Sequence, residues 1–365
     1  MTRTPDVSVV IPTCDRPDLV VRAVQSALAQ TIDTIEVIVV IDGGDEATRA
    51  ALAALRDDRL RVVPLPERGG APNARNVGVR EARAPWTAFL DDDDEWLPEK
   101  LAVQLAAARS ARAPLPVVAS RLLNRTPRAE FVLPRRLPEP GEPVSEYLTV
   151  RRGLFHGDGF IQTSTIMAPT ELLRRVPFTV GLRRQQELDW TLRAVSHPDV
   201  ELVMAAEPLV VWHQDEDRPR ISLQSPWEAQ FEWLRTSRPL LTPRAYAALA
   251  MSVIGSMAAT TRSFRVFRTL LAEARRHGRP SLIDYVTYLQ IWLIPPDLRH
   301  RLRDRLLDRR HGGQPPAPGA SPADAVVADA GQPSDVVPPG LRAAHAEPTP
   351  ATLGKPKPVA GGGRP

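Results

Sequence analysis

Four consecutive aspartates are the segment of this chain with the clearest chemical potential. Asp91 to Asp94 directly follow residues 86–90, an apolar run with the length and composition of a short buried strand. Four carboxylates at a strand end repel one another in a partly dry site, so a cation must compensate them. Mg²⁺ or Mn²⁺ shared with the oxygens of a substrate diphosphate would meet this need. The alternative is a solvated acidic turn at the N-terminus of the following helix.

Strand and helix signals alternate along the residues that precede and contain this run. Apolar strands are predicted at 7–11, 37–41, 61–65 and 86–90, and helical patterns begin near Pro17, Ala47 and Asn73. Continuous apolar strands separated by helices indicate an α/β fold with a mostly parallel sheet that is covered on both faces. Such sheets bind ligands beyond the carboxyl ends of their strands.

Polar residues converge at that edge of the predicted sheet. Thr13 and Asp15 follow the first strand, Asp42 follows the second, and the aspartate run follows the fourth. Asp42 could instead cap the turn that it forms with Gly43 and Gly44. The convergence of residues from three strand ends is stronger evidence for a ligand site than any one of them.

Length and composition limit the other possibilities. The chain has 365 residues, 43% hydrophobic and 25% charged, which is typical of one large globular domain with an appendage. Its single cysteine, Cys14, excludes an internal disulfide framework and any zinc site built from several cysteines. Residues 7–11 are too short for a signal peptide and residues 246–259 too short for a membrane span. We therefore expect a cytoplasmic protein.

Three regions are predicted along the chain. Residues 1–225 would form the catalytic domain, and residues 226–310 a helical basic region. Residues 311–365 are rich in proline, alanine and glycine and lack aromatic residues, which predicts a disordered tail. Within the basic region, residues 262–310 contain twelve arginines and five acidic residues, a net charge of +7.

The basic region could contact an anionic membrane. Its charge is interleaved with large apolar residues, and such a segment can lie on a bilayer surface. These residues are Phe264, Phe267, Leu270, Ile291, Trp292 and Leu293. We therefore expect residues 262–310 to make peripheral contact with the inner face of the cell membrane. No nucleic-acid partner is expected. A basic helical lid packed on the catalytic domain is the alternative.

Four ordered motifs resemble the family 2 glycosyltransferases with the GT-A fold. They are Val9-Val10-Ile11-Pro12-Thr13, Asp42-Gly43, Asn73-Ala74-Arg75-Asn76-Val77-Gly78 and Phe89-Leu90-Asp91-Asp92-Asp93-Asp94. The resemblance covers roughly residues 5–215 and implies a GT-A, Rossmann-like fold. It also implies a nucleotide-diphosphate-sugar donor, with UDP-sugar expected, a divalent Mg²⁺ or Mn²⁺ ion, and inversion at the anomeric carbon.

The resemblance also assigns roles to individual residues. Pro12, Thr13, Asp15 and Asp42 would contact the nucleotide, and Arg75 and Asn76 would lie close to the base or diphosphate. Asp91 to Asp93 match the Asp-x-Asp element of the family. Asp91 and Asp92 would face the ribose, Asp91 would also approach the metal, and Asp93 would hold the metal that bridges both phosphates. His213 could approach the metal or the departing diphosphate, although a lone histidine is more often structural.

The general base of the family lies in an acidic pair followed by Leu-Arg. Here the segment Gln186-Glu187-Leu188-Asp189-Trp190-Thr191-Leu192-Arg193 occupies that place, with Gln-Glu in place of the usual Glu-Asp. The Leu192-Arg193 register puts Glu187 at the base position, and Asp189 is the other candidate. A carboxylate is needed there because the acceptor hydroxyl must lose its proton in a single displacement. Without the resemblance, both residues would be the polar face of an amphipathic helix.

The expected function is therefore that of a metal-dependent inverting hexosyltransferase. It would act on a saccharide or lipid-linked acceptor in the synthesis of a cell-envelope or other polysaccharide. One alternative is a nucleotide-sugar-binding protein weakened in catalysis, because the acidic pair is altered. The other is a metal-dependent phosphatase, whose Asp-x-Asp-x-Thr/Val pattern fails at Glu95.

Overall fold

The computed structural model describes residues 4–127, 129–153, 158–215 and 226–294. Nine strands in these residues form one sheet in the order β3-β2-β1-β4-β8-β6-β9-β5, with β7 paired to β6. The strands are β1 Val7–Thr13, β2 Ile35–Ile41, β3 Leu60–Pro64, β4 Trp86–Phe89, β5 Asp94–Trp96, β6 Val117–Arg125, β7 Glu130–Leu133, β8 Met167–Pro169 and β9 Leu202–His213.

Helices cover the sheet and continue beyond it. Those within the sheet region are α1 Pro17–Leu28, α2 Glu46–Ala53, α3 Ala71–Glu81, α4 Lys100–Arg109, α5 Val144–Thr149, α6 Thr170–Arg175 and α7 Gln186–Val195. Those that follow it are α8 Trp227–Thr236, α9 Pro243–Ala248, α10 Gly255–Ala258, α11 Phe264–His277 and α12 Leu282–Leu293. A π-helical stretch, Leu249–Ile254, joins α9 to α10.

The first four strands form the parallel part of the sheet. β1 lies between β2 and β4 and runs parallel to both, and β3 runs parallel to β2. Every residue of β1 and β2 is buried, which explains why their sequences are continuous apolar runs rather than alternating ones. The predicted α/β class is confirmed, and the carboxyl ends of β1, β2 and β4 meet at one edge.

The second part of the sheet is mixed. β8 runs antiparallel to β4, whereas β6 and β9 are parallel to each other. The short strand β5 pairs antiparallel with the end of β9, with Asp94 opposite Trp212. The aspartate run therefore leads from the parallel part of the sheet directly into its far edge.

The C-terminal helices have a hydrophobic core of their own. Tyr246, Met251, Leu270 and Tyr288 are buried in it. This agrees with the predicted helical region, whose limits at 226 and 310 stay a prediction. Leu270 and Ile291, expected among membrane-facing residues, are 0% and 7% exposed, so that expectation is wrong for these two. The predicted tail, residues 311–365, lies outside the described residues.

Candidate active site

The loop between β4 and β5 carries Asp91, Asp92 and Asp93, and the first turn after β1 meets it. The hydroxyl of Thr13 donates to Asp92 Oδ2 at 2.8 Å. Arg16 Nη1 lies 3.0 Å from Asp92 Oδ1 and 3.2 Å from Asp93 Oδ2. Parallel pairing of β1 with β4 brings these segments together, because both strands end at the same edge of the sheet.

Arg75, on α3, joins the aspartate loop to α7. Its Nη2 atom donates to Asp91 Oδ1 at 2.6 Å, and its Nη1 atom donates to Gln186 Oε1 at 2.6 Å. The guanidinium carbon lies 5.5 Å from the centre of the Phe178 ring, and only 5% of the side chain is exposed. A buried arginine in a fixed position thus connects two regions that are far apart in sequence.

Asp94 anchors the loop instead of facing a ligand. Its side chain is fully buried at the start of β5. Gln162 Nε2 donates to Asp94 Oδ2 at 2.7 Å, and Ser164 Oγ donates to the same oxygen at 2.6 Å. Ser164 Oγ also accepts a hydrogen bond of 3.0 Å from the backbone N–H of Asp91. These contacts fix both ends of the aspartate loop.

Arginines and neutral donors compensate the aspartates, so side chains of this chain supply part of the expected cationic charge, and the divalent ion stays a prediction. Arg16 and Arg75 hold Asp91, Asp92 and Asp93, and Arg22 Nη2 donates to the Asp93 carbonyl at 3.1 Å. Burial is the main cause that raises the pKa of Asp92 to about 6, and the neighbouring Asp93 adds to it. Arg16 and the Thr13 hydroxyl oppose that rise.

The two candidate bases on α7 have different surroundings. Asp189 is 5% exposed and accepts hydrogen bonds from Thr179 Oγ1 at 2.7 Å, Arg193 Nη2 at 2.9 Å and Trp233 Nε1 at 2.9 Å. The Trp233 bond ties α7 to α8. Asp189 therefore helps to hold α7 in place, and its candidacy as the base stays a prediction.

Glu187 faces the aspartate loop and Arg75. Burial raises the pKa of its carboxyl above the usual range, and Asp91 adds to the rise. Arg75 and Arg184 act in the opposite direction, but no side chain among the described residues donates a hydrogen bond to Glu187. A half-buried carboxylate with a raised pKa and no such donor is suited to accept a proton.

Gln185, the residue before α7, has two unusual features beside Glu187. Its backbone is left-handed, with φ of 59°, a conformation that non-glycine residues seldom adopt. Its side-chain Nε2 and Oε1 are buried and have no hydrogen-bond partner among the described residues. Both features are costly, and such costs are concentrated at ligand-binding positions. The sequence alone gave no reason to select this residue.

His213 lies beside two carboxylates in the described part of the chain. Its Nε2 atom lies 2.6 Å from Glu95 Oε1, and its Nδ1 atom lies 3.6 Å from Asp215 Oδ1. Arg22 Nε is 3.4 Å from the same Glu95 oxygen. The approach of His213 to a metal or a departing diphosphate stays a prediction.

Three of the predicted nucleotide contacts have structural partners. Asp42 accepts from the backbone N–H groups of Gly69 and Gly70 at 2.7 and 2.8 Å, so it positions the loop before α3. Asn76 exchanges two hydrogen bonds of 2.9 and 2.8 Å with the Phe178 backbone, so its amide joins α3 to the segment before α7, and its nucleotide contact stays a prediction. Asp15, with φ of 54°, forms an exposed ion pair with Arg68.

Pro12 and Thr13 differ from each other although they are neighbours. Pro12 is buried within β1, where it pairs with Val40 of β2, so its contribution is to the sheet. Thr13 directs its hydroxyl to Asp92, as described above. Of the first strand's predicted site residues, Thr13 is therefore the one that the structure joins to the aspartate loop.

Among the described residues, no three side chains of histidine, cysteine, aspartate or glutamate are grouped to hold a metal ion. This does not conflict with a magnesium or manganese ion, which proteins often bind through one or two carboxylates and the phosphates of a substrate. Asp91 and Asp93, with side chains 24% and 21% exposed, are the loop carboxylates that an ion could reach. The donor set thus fits an ion brought together with a diphosphate.

The chain is similar to known proteins over much of this site. Residues 8–161 match the family model described as Glycosyl transferase family 2. The succinoglycan biosynthesis protein ExoO of Rhizobium meliloti (strain 1021) is 41% identical over 115 residues, which are 32% of this chain and 33% of ExoO. The amylovoran biosynthesis glycosyltransferase AmsB of Erwinia amylovora is 27% identical over 246 residues, 65% of this chain and 79% of AmsB.

Two further proteins resemble the chain. WfaP of Escherichia coli, named a UDP-Glc:alpha-D-GlcNAc-diphosphoundecaprenol beta-1,3-glucosyltransferase, is 32% identical over 99 residues, 27% of this chain and 39% of WfaP. Among solved structures, S. aureus TarS 1-349 in complex with UDP is similar with a TM-score of 0.45 and 16% identity, covering 84% of this chain and 87% of TarS 1-349. The chain spans only a third of the length of ExoO and much of AmsB.

Proposed function

Because the chain belongs to glycosyl transferase family 2 through residues 8–161, we propose that it transfers a sugar from a nucleotide diphosphate to a hydroxyl group. One observation carries the proposal. Arg75 contacts both Asp91 and Gln186, and Arg75 and Asp91 lie close enough to Glu187 to shift the pKa of its carboxyl, which supports a shared space for the aspartate loop and Glu187. A diphosphate held at the loop would thus present its sugar to Glu187.

Each group has a distinct part in the proposed reaction. Asp93, with Asp91 nearby, would hold Mg²⁺ or Mn²⁺ together with the diphosphate, and the ion would supply electrostatic stabilisation of the leaving group. Thr13, Arg16 and Arg75 fix the aspartates in position. Gln185 has a buried amide suited to a sugar hydroxyl. On these assignments, the site is complete only when the nucleotide-diphosphate sugar and the metal ion are bound.

The proposed chemistry is a single displacement. The acceptor oxygen bonds to the anomeric carbon while the bond from that carbon to the diphosphate oxygen breaks. The nucleoside diphosphate leaves with the electron pair, and the acceptor proton goes to Glu187, so the anomeric configuration inverts. The raised pKa of Glu187 favours this proton transfer, because it brings the basicity of the carboxylate closer to that needed near neutral pH.

The names of the relatives guide the choice of substrates. ExoO and AmsB are named for succinoglycan and amylovoran biosynthesis, which supports a polysaccharide or its precursor as acceptor. The name of WfaP includes a UDP-sugar donor and a diphosphoundecaprenol acceptor, which supports testing UDP-glucose and a lipid-linked saccharide first. The single cysteine is compatible with the predicted cytoplasmic location.

A donor panel tests the proposal. Purified full-length protein is incubated with UDP-, GDP- and dTDP-sugars and short saccharide or polyprenyl-diphosphate-saccharide acceptors, with manganese or with EDTA. We expect acceptor-dependent release of the nucleoside diphosphate from one donor class and loss of release in EDTA. Release of inorganic phosphate from phosphorylated substrates would favour the phosphatase alternative. Saturable donor binding without any turnover across the panel would favour the weakened binding protein.

A further inference from the structure

An apolar stripe on α12 is exposed to solvent. Its members are spaced by four, three and four residues, so they lie on one side of the helix. They are Leu282, Val286, Leu289 and Leu293, which are 79%, 41%, 46% and 75% exposed. The opposite side, with Tyr288 and Ile291, packs into the core of the C-terminal helices. The packing of α12 into the core therefore does not use the side chains of the α12 stripe.

A fifth exposed apolar residue, Phe264, lies on α11. It is 71% exposed and stacks on Phe267 with ring centres 5.9 Å apart. Phe267 in turn contacts Tyr288 and Trp292 of α12, at 5.0 and 5.5 Å between ring centres. Of the six large hydrophobic residues exposed in the described part of the chain, five belong to α11 and α12. A concentration of this kind marks an interaction surface.

Exposed arginines lie close to Phe264 in sequence, and α12 exposes no charged side chain of its own. The acidic residue of α12, Asp284, is buried and paired with Arg244. Arg262, Arg265 and Arg268 are exposed next to Phe264 in sequence. Residues 295–310, which follow α12 in the sequence, contain six arginines and three aspartates. The exposed apolar residues are therefore accompanied by exposed positive charge at the start of α11.

We propose that the α12 stripe and Phe264 bind the surface of a bilayer that contains anionic lipids. Apolar residues at the interface with arginines towards the headgroups are the features by which amphipathic helices bind such membranes. A second copy of the chain would meet the stripe less well, because it would bring its own exposed arginines of α11 towards those of the first copy. The inference goes beyond the proposed transfer reaction, since it concerns a separate surface.

Vesicle flotation of the full-length protein tests the proposal. Vesicles of phosphatidylcholine with 30% phosphatidylglycerol should carry the protein to the top of the gradient at low salt, and pure phosphatidylcholine should carry much less. The double variant Leu282→Ser/Leu293→Ser should lower the ratio of bound to free protein at least about tenfold. Val180→Ser serves as the control, because Val180 is 59% exposed but lies outside the stripe. The triple variant Arg262→Gln/Arg265→Gln/Arg268→Gln should weaken binding to anionic vesicles only.

Two results would overturn the proposal. One is equal flotation of the wild type and the double serine variant, or no flotation of the wild type on anionic vesicles. The other is a wild-type dimer in sedimentation that the double variant converts to a monomer, which would assign the stripe to a second copy. Circular dichroism of each variant checks the fold. Flotation does not depend on sugar transfer, so its outcome is separate from that of the donor panel.

Discussion

The aspartate loop and the start of α7 both carry carboxylates at the proposed site. The two regions differ in the number of hydrogen bonds that these carboxylates accept. In the loop, arginines and neutral donors hold Asp91, Asp92 and Asp94 through hydrogen bonds of 2.6 to 3.3 Å. At α7, Glu187 is half-buried, and no side chain among the described residues donates a hydrogen bond to it.

The difference separates positioning from reactivity. A carboxylate that accepts several hydrogen bonds is held in one position by them and has fewer lone pairs left to accept a proton from a substrate. Burial without such donors disfavours the charge and strengthens the base, at a cost in stability. Asp189 shows the first condition only two residues from Glu187, so α7 contains both kinds of carboxylate.

Removing the basicity of Glu187 should have the largest effect. Glu187→Gln keeps the shape of the side chain but cannot accept the acceptor proton, so we expect kcat to fall by about 10²- to 10⁴-fold with donor binding preserved. Single-turnover rates with a saturating donor measure this change. The matched variant Asp189→Asn should slow transfer far less and should instead lower the melting temperature. An inactive Asp189→Asn protein beside a nearly normal Glu187→Gln protein would reverse the assignment.

A substitution of Asp93 tests the role of the aspartate loop. Asp93→Asn removes a charged oxygen from the proposed metal ligand, so transfer should fall to a low level. In calorimetry, manganese should tighten binding of the nucleoside diphosphate to the wild type, and the variant should lose about tenfold or more of that affinity. Asp18→Asn, an exposed aspartate of α1, is the control. Manganese-dependent binding of normal strength in Asp93→Asn would remove Asp93 from the metal site.

The elements of the parallel region could be predicted because their signals are local. The continuous apolar runs of β1, β2 and β4 and the periodic helix at Gln186–Val195 are where the sequence indicated them. Strand β5 could not be predicted, because Asp94–Trp96 has no strand pattern and becomes a strand by pairing with β9. Tertiary pairing overrides local preference in such a short segment.

The sequence could predict only those site residues that belong to recognisable motifs. The aspartate loop, Arg75 and Glu187, which the motifs selected, lie close to one another, and their roles stay predictions. Gln162 and Ser164, which hold Asp94, are 68 and 70 residues away from it in sequence and belong to no such motif. Arg16, like Asp15, follows the end of β1. This position was the one feature of the sequence that could have identified Arg16 as a site residue. Long-range partners of this kind become visible only in the folded chain.

The bond between Trp233 and Asp189 offers a smaller test, of stability rather than chemistry. Trp233→Phe removes the indole donor that lies 2.9 Å from Asp189 Oδ1, while keeping an aromatic ring in the helical core. A lost hydrogen bond to a buried charged group should lower the free energy of unfolding by about 1–3 kcal/mol. Trp227→Phe is the control for the aromatic substitution. Denaturant melts with equal midpoints for the two variants would contradict a structural link through this bond.

The smallest expected effect is a gain in stability when Glu187 loses its charge. Its pKa is raised in the folded protein, so the folded state binds the proton more tightly than the unfolded state, and this contribution to stability is lost as pH rises through the folded pKa. At pH 7 the buried charge of Glu187 therefore destabilises the folded state, and Glu187→Gln removes this destabilisation. We expect the melting temperature of this variant to exceed that of the wild type by about 1–4 °C at pH 7, a range typical of stabilising substitutions at functional sites. At pH 4 the wild-type carboxyl is largely protonated, so the difference should shrink towards zero. Glu171→Gln, which neutralises an exposed carboxylate on α6, should show no such convergence. A Glu187→Gln protein less stable than the wild type at pH 7 would mean that Arg75 and Arg184 stabilise the charge of Glu187, and the contrast between α7 and the aspartate loop would then disappear.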